Sequence, residues 1–401
     1  MQLERATRAY YLIGRLLDGP LWSLYCGLLV WILVKQVGAS PLQITLLMAA
    51  RPTMALLSSY WSALAPRVHL KANIIGIEAV GKLPALLFPF VGHPWFYIGA
   101  YALYMMSVRG AVPAWLQLVR QNVPHKQRSL LFSSGFVLTY GLEIALPILL
   151  ALFLDIQVSC WRWLFFGAGA LSVLSIYFNS RIPMGRGGAV KRPLGSALLG
   201  PWREALSLFR RSPDFFRFEW IYFVGGFGFL MARRAIPETA LQFPWIGYGE
   251  LMIATSLCRG VGYLATSRLW AHWLNRVNFY HYCALVFLVA ALVPLFMLGA
   301  LVWPFALFIA YLFYGVMRGG DDLSWHLAAD LFSGEEESTP YSSASNIMLG
   351  VRGLAASLLG GLLVAHGAVS LTFVIGSGLI LFSAYAVLRA AKTKRLVVRE
   401  G

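Results

Sequence analysis

Ionisable side chains interrupt the apolar runs of this chain at few positions, and they are of the kinds that hold anions or carry protons. Arg51 lies ten residues after Pro41, about 15 Å into its run at ~1.5 Å per residue. Arg259 lies about as deep in a run of the second half. Guanidinium forks match carboxylate and phosphate, so the two suggest a clamp on an anionic group, or arginines paired with acids of the protein. Glu143 and Arg352 stand 209 residues apart at equivalent places with opposite charge. They are expected either to bridge across a cavity that closes on one side, or to form a fixed ion pair. Arg15 and Asp18 share a helical face, and Gly19-Pro20 after them loosens the helix. Asp18 is a candidate proton site, since a desolvated carboxylate can titrate near neutral pH; a local pair with Arg15 is the alternative. Glu78 and Lys82 have the spacing of a structural i, i+4 pair. Arg109 and Arg318 each precede a glycine. Asp321 and Asp322 follow Arg318 as a cytoplasmic gate, a proton exit or a hydrated interface cluster. An ionised group at the centre of a bilayer costs about 2.5–3.5 kcal/mol on insertion scales, so each of these needs a partner, water or a function.

Conventional catalytic chemistry is missing. There is no phosphate-binding Walker loop, no His-Glu-x-x-His and no Gly-x-Ser-x-Gly. Cys26, Cys160, Cys258 and Cys283 are scattered without metal spacing. No enzyme activity, cofactor or metal is expected.

The elements that carry these charges repeat. Arg109-Gly110 recurs as Arg318-Gly319, Trp61 as Trp270, Arg67 as Arg276, Ser133-Ser134 as Ser342-Ser343 and Gly141 as Gly350, all at an offset of 209. One register held over this length describes two copies of one design. With 59% hydrophobic and 12% charged residues, against about a quarter charged in soluble domains, the chain suits lipid rather than water. About twelve runs approach the ~20 residues that a spanning helix needs. They lie near 11–35, 42–63, 72–91, 95–117, 129–154, 162–182, 216–236, 249–271, 279–300, 303–325, 341–365 and 368–390. The expected fold is an all-α membrane protein, with twelve transmembrane helices in two pseudo-symmetric six-helix bundles. Residues 1–182 form the first bundle and 216–401 the second, with a cytoplasmic linker at 183–215.

The net charge of +16 sits between the runs, on alternate connections, rather than in a nucleic-acid motif. Arg5, Arg8, Lys71, Lys126, Arg128, Arg276 and the basic tail at Lys392, Lys394, Arg395 and Arg399 share one side, which places both termini in the cytoplasm. The basic linker suits anionic lipid, and Trp202–Arg211 within it is either an interfacial amphipathic helix or part of a plain solvated linker.

Twelve spans in two sets of six, a basic central loop and inside termini resemble the major facilitator superfamily. The stretch Trp61-Ser62-Ala63-Leu64-Ala65-Pro66-Arg67-Val68 matches that family's loop between spans 2 and 3 at Arg67, while Ala65 stands where an Asp is usual. Arg109 looks like its span 4 arginine, often linked to proton coupling. Gly141-Leu142-Glu143-Ile144-Ala145-Leu146-Pro147 keeps one Gly and the Pro of the exporters' span 5 motif but inserts Glu143. The resemblance implies a secondary active transporter of a bacterial-type cytoplasmic (inner) membrane. It would act as a monomer by alternating access, with a small-molecule substrate, the proton and membrane lipids as partners. The deep arginines favour a small polar, anionic metabolite, moved in symport with protons. An efflux antiporter for lipophilic or drug-like compounds fits the 14% aromatic content. A membrane sensor or scaffold without transport fits the missing loop acid.

Overall fold

The structure, a computed structural model, describes residues 2–64, 70–183, 195–243, 246–274, 276–334 and 339–392. These residues are helical, with no strand among them. The proposed loop signature at Arg67 lies outside them.

Helix α1 (Gln2–Ser23) runs through a π-helical turn (Leu24–Leu28) into α2 (Leu29–Lys35). The expected loosening at Gly19-Pro20 takes this form. Pro20 lacks an N–H to donate, the Ser23 hydroxyl occupies the Gly19 carbonyl at 2.8 Å, and the wide turn begins at the next residue. Then come α3 (Pro41–Leu64), α4 (Leu70–Lys82) extended by a 3-10 turn (Leu83–Leu87), α5 (Pro94–Asn122), α6 (His125–Ile156) and α7 (Trp161–Ser180). A reciprocal box of Ser40 and Gln43 starts α3: the Gln43 side chain accepts from the Ser40 N–H at 2.8 Å and Ser40 Oγ from the Gln43 N–H at 3.3 Å.

The linker is itself partly helical, as α8 (Gly195–Arg211). Ala205 and Leu208 on α8 pack with Phe215, Ala329, Tyr341, Ala344 and Ile347, while Leu206 stays exposed. Next are α9 (Pro213–Arg234) and the short α10 (Ile236–Leu241). Helix α11 (Tyr248–Met252) continues through a second π-helical turn (Ile253–Cys258) into α12 (Arg259–Leu274). The chain ends with α13 (Phe279–Ala300), α14 (Ala306–Ser333), α15 (Thr339–Ala365) and α16 (Val369–Ala391). The side chain of Asn278 caps α13 by accepting from the Tyr280 N–H.

Packing divides the residues into two compact units. The first comprises 1–39 and 57–199, where α1 lies on α6 and α7, and α4 on α5. The second comprises 40–56 and 200–401, where α13 lies between α14 and α16, α12 against α14, and α9 against α15 and α16. Residues 40–56 belong to the second unit because α15 offers them a strip without side chains. A Cβ on Gly350 would meet Leu56 at 2.7 Å, one on Gly353 would meet Pro52 at 2.2 Å, and one on Gly361 would meet Thr45 at 2.1 Å. Small residues let helices approach this closely in membranes.

Seven helices among the described residues are long and apolar enough to cross a membrane: Leu3–Lys35, Val137–Ile156, Val158–Ser180, Pro213–Leu241, Phe279–Ala300, Pro340–Ala365 and Val369–Ala391. Five further stretches of the expected set, α3, α4 with its 3-10 turn, α5, α11–α12 and α14, are helical and lie outside these seven. These are the stretches that hold Arg51, Lys82, Arg109, Arg259 and Arg318.

Candidate functional site

Within the first unit, buried charge is gathered in one network. Lys82 Nζ on α4 lies 3.1 Å from Glu78 and 3.4 Å from Asp18 on α1, and donates to Ser175 Oγ at 2.8 Å. Glu78 also accepts from Trp115 Nε1 at 3.1 Å and Asn179 Nδ2 at 2.9 Å. Asp18 accepts from the Tyr104 hydroxyl at 3.1 Å and from Ser172. The expected Glu78–Lys82 pair is present. Asp18, however, is held by Lys82 rather than by Arg15, whose guanidinium stacks over Tyr11 at 5.2 Å. Glu143 on α6 accepts from Trp22 Nε1 at 3.0 Å, and Arg109 is half-buried on α5.

The second unit brings Arg51 and Arg259 to a common place. Tyr311 and Tyr314 are buried on α14 with ring centroids 6.1 Å apart, and Phe229 meets Tyr314 edge-on at 5.1 Å. The charges that act most strongly on the Tyr314 hydroxyl are four guanidiniums: Arg233, Arg318, Arg259 and Arg51. They come from α9, α14, α12 and α3, within electrostatic reach of one phenol. Tyr311 feels Arg233 and Arg259.

Local sequence sets this up. The π-helical turn ends immediately before Arg259. Such turns take up one extra residue and recur at functional sites. The offset between Arg51 and Arg259 is 208, one short of the register. Helix α12 lies directly on α14 because Gly315 has no side chain: a Cβ there would sit 1.9 Å from the Arg259 carbonyl oxygen. Arg318 closes on its own helix, 2.8 Å from Asp322 and 3.7 Å from Asp321.

Arg352 lies elsewhere in the unit, between α15 and α9. Its Nη1 donates to the Tyr222 carbonyl at 2.6 Å, its guanidinium lies 5.9 Å from the Trp325 ring centroid, and Gly226 leaves room for it. Arg352 and Glu143 therefore each have a partner within their own unit. Sequence reasoning missed Arg233, Tyr311, Tyr314 and the buried Glu219. The Arg233-Arg234 doublet at the end of a long apolar run was the available signal. Arg234 is 0% exposed and donates to Thr45 at 2.8 Å and to the Pro41 carbonyl at 2.8 Å, with Glu238 at 3.2 Å.

The backbone matches solved transporters over nearly its whole length. A POT family transporter in complex with a thioalcohol-conjugated peptide aligns with a TM-score of 0.78 at 11% identity, over 97% of each chain. The nucleoside transporter NupG aligns at 0.66 and 12% identity, over 98% of this chain and 100% of that one. The peptide transporter POT in complex with sulfate aligns at 0.73 and 13% identity, over 96% and 94%. The chain shares the fold of these transporters. No protein-family model matches the sequence, and no curated protein matches it. A major facilitator fold accounts for an integral, multi-pass membrane chain with deep charges. The matched structures are transporters and not enzymes.

Proposed function

We propose that the chain is a proton-coupled secondary transporter of a small anionic metabolite, working by alternating access. In this reading twelve helices span a bacterial-type inner membrane as two six-helix bundles, with both termini cytoplasmic. The helices that carry the deep arginines face the solute path. The observation that carries the reading is the packing of α12 on α14 at Gly315 and Arg259, beside the buried Tyr311 and Tyr314, with Arg51, Arg233 and Arg318 in electrostatic reach of Tyr314. Guanidiniums gathered around one place offer an anion several fork-shaped donors at once. Tyrosine hydroxyls beside them supply further donors to a carboxylate or phosphate oxygen.

Arg51, Arg233 and Arg259 form the clamp. Arg318 is shared between the clamp and its carboxylates, Asp321 and Asp322, so an anion competes with these acids for it and opens the local pair. Arg352 contributes a separate cation, and Glu143 with Trp22 positions the inner face of α6. That a related fold was crystallised with sulfate supports an anion as the solute class.

Uptake of carboxylates and phosphate esters into proteoliposomes, with and without an imposed pH gradient, tests the proposal. Saturable uptake of one anion class, faster with acid outside, is expected. Transport indifferent to the gradient removes the proton. Wild-type rates in Arg51→Ala and Arg259→Ala remove the clamp.

A further inference from the structure

One side of α8 packs on protein, through Ala205 and Leu208. The neighbouring strip carries Trp202 and Leu206, which are 37% and 54% exposed. That strip runs on into α9. Phe209 meets Phe216 across the α8–α9 elbow at 5.2 Å. Phe216, Trp220, Phe223 and Phe227 then follow one another along α9 as a ladder of rings with centroids 6.4, 5.3 and 6.2 Å apart. Their spacing of four, three and four residues keeps them on one face. The planes of Trp220 and Phe223 lie 4° from parallel, and Trp220 is 52% exposed. The elbow is tied down at Ser212. Its N–H donates to the Leu208 carbonyl at 2.8 Å, and its hydroxyl is hydrogen-bonded to that of Tyr341 at 3.1 Å. Helix α9 begins a stretch long and apolar enough to cross a membrane. Its exposed ladder therefore meets acyl chains, and α8, just before that stretch, lies at headgroup level.

Arginines border the strip. Arg203 and Arg210 stand seven residues, about two turns, apart on one edge of α8. Arg217 follows Phe216 at the start of α9, and all three are exposed. None of the ion pairs among the described residues includes them. Arg211 differs, since its guanidinium turns back onto Ser207 of its own helix. From Arg203 to Arg217 the chain holds four arginines against two acids, Glu204 and Asp214. Rings that enter hydrocarbon, with guanidinium forks at their headgroup end, complement a lipid whose phosphate carries an uncompensated negative charge. A zwitterionic lipid brings its own cation to the same place. We propose that the α8–α9 elbow is a binding site for an anionic phospholipid. Arg203, Arg210 and Arg217 hold the phosphate, and an acyl chain lies along Trp220 and Phe223. The bound lipid braces α8 on α14 and α15, which supply Ala329, Tyr341, Ala344 and Ile347 to its buried side. The site needs only the membrane setting of the chain; its assignment to the cytoplasmic leaflet rests on the orientation proposed above.

Native mass spectrometry of the full-length protein, released from phosphatidylcholine nanodiscs doped with phosphatidylglycerol, tests the site. Phosphatidylglycerol is expected to be retained in preference to phosphatidylcholine. A basic residue near an anionic surface strengthens attraction roughly fivefold. Arg203→Gln, Arg210→Gln and Arg217→Gln together should therefore lower the preference at least about tenfold. Removing three exposed arginines elsewhere, by Arg181→Gln, Arg268→Gln and Arg389→Gln, should leave it unchanged. An unchanged preference in the first variant, or an equal loss in both, overturns the site. If the first variant does not fold, Arg210→Gln and Arg217→Gln are measured singly, each with a loss of roughly fivefold expected. Trp220→Ala with Phe223→Ala should weaken retention of the lipid, and retention equal to wild type overturns the placement of its chain. Excess inorganic phosphate should not displace the lipid; displacement assigns the arginines to a soluble anion instead. The same spectra read oligomeric state. A dimer that forms as the lipid is stripped, and is lost in Trp220→Ala, gives the face to a second copy of the chain and overturns the proposal.

Discussion

In the first unit two carboxylates, Asp18 and Glu78, meet the ammonium of Lys82, with Arg15 close by, and neutral donors from α5 and α7 complete their hydrogen bonds. In the second unit four guanidiniums act together on one tyrosine. At the register positions of Glu78 and Lys82 the second half carries Phe287 and Ala291, both buried, with Phe287 packed on Tyr222 at 4.8 Å. One unit thus uses opposite charges as internal cement, and the other builds the same place from apolar contacts and gathers like charge elsewhere. Opposite charges in mutual contact tie helices together, whereas several guanidiniums around one place suit the oxygens of an anion.

The largest effect is expected where the cement is broken. Lys82→Met leaves Asp18 and Glu78 buried without their shared cation. Removing one member of a buried pair costs about 3–5 kcal/mol, so the variant should lose most of its folded yield or melt far below wild type in detergent. A melting point within a few degrees of wild type would show that the network is not cement. Next comes Gly315→Ala, which puts a methyl against the Arg259 carbonyl. Overpacking costs about 1–3 kcal/mol, and a lower melting point should accompany loss of anion binding because Arg259 moves with its backbone. By contrast, Arg233→Ala should leave the melting point equal or higher, since it removes one of four like charges, while weakening anion binding at least tenfold by titration calorimetry. The smallest effect belongs to Asp322→Asn. Arg318 is 42% exposed, and exposed pairs contribute about 0–1 kcal/mol; chemical denaturation should barely register it.

Much of this was legible in the sequence. Apolar runs fixed the helices, because lipid demands internally bonded backbone. The i, i+4 spacing of Glu78 and Lys82 predicted their contact, since neighbours on a helix face need no tertiary information. Matching depth singled out Arg51 and Arg259. The partner of Asp18 was not legible, because Lys82 is 64 residues away and only packing brings α4 to α1. Glu219 was hidden for a related reason. Between Phe218 and Trp220, near the start of α9, it has the look of an interfacial charge, whereas packing buries it with Ser345 of α15 as its hydrogen-bond donor. Tyr311 and Tyr314 resemble any aromatic residues of a spanning helix until the arginines are placed around them.

The central claim is that the arginines of the second unit hold an anion. Its most direct test is the melting temperature of the purified protein titrated with sulfate, against chloride at matched ionic strength. A ligand that binds the folded state raises that temperature with saturation. A saturable rise with sulfate in wild type, lost in Arg233→Ala and Arg259→Ala and kept in Arg15→Ala, is the predicted result. An equal rise in all four proteins, or none in wild type at any sulfate concentration, would contradict it.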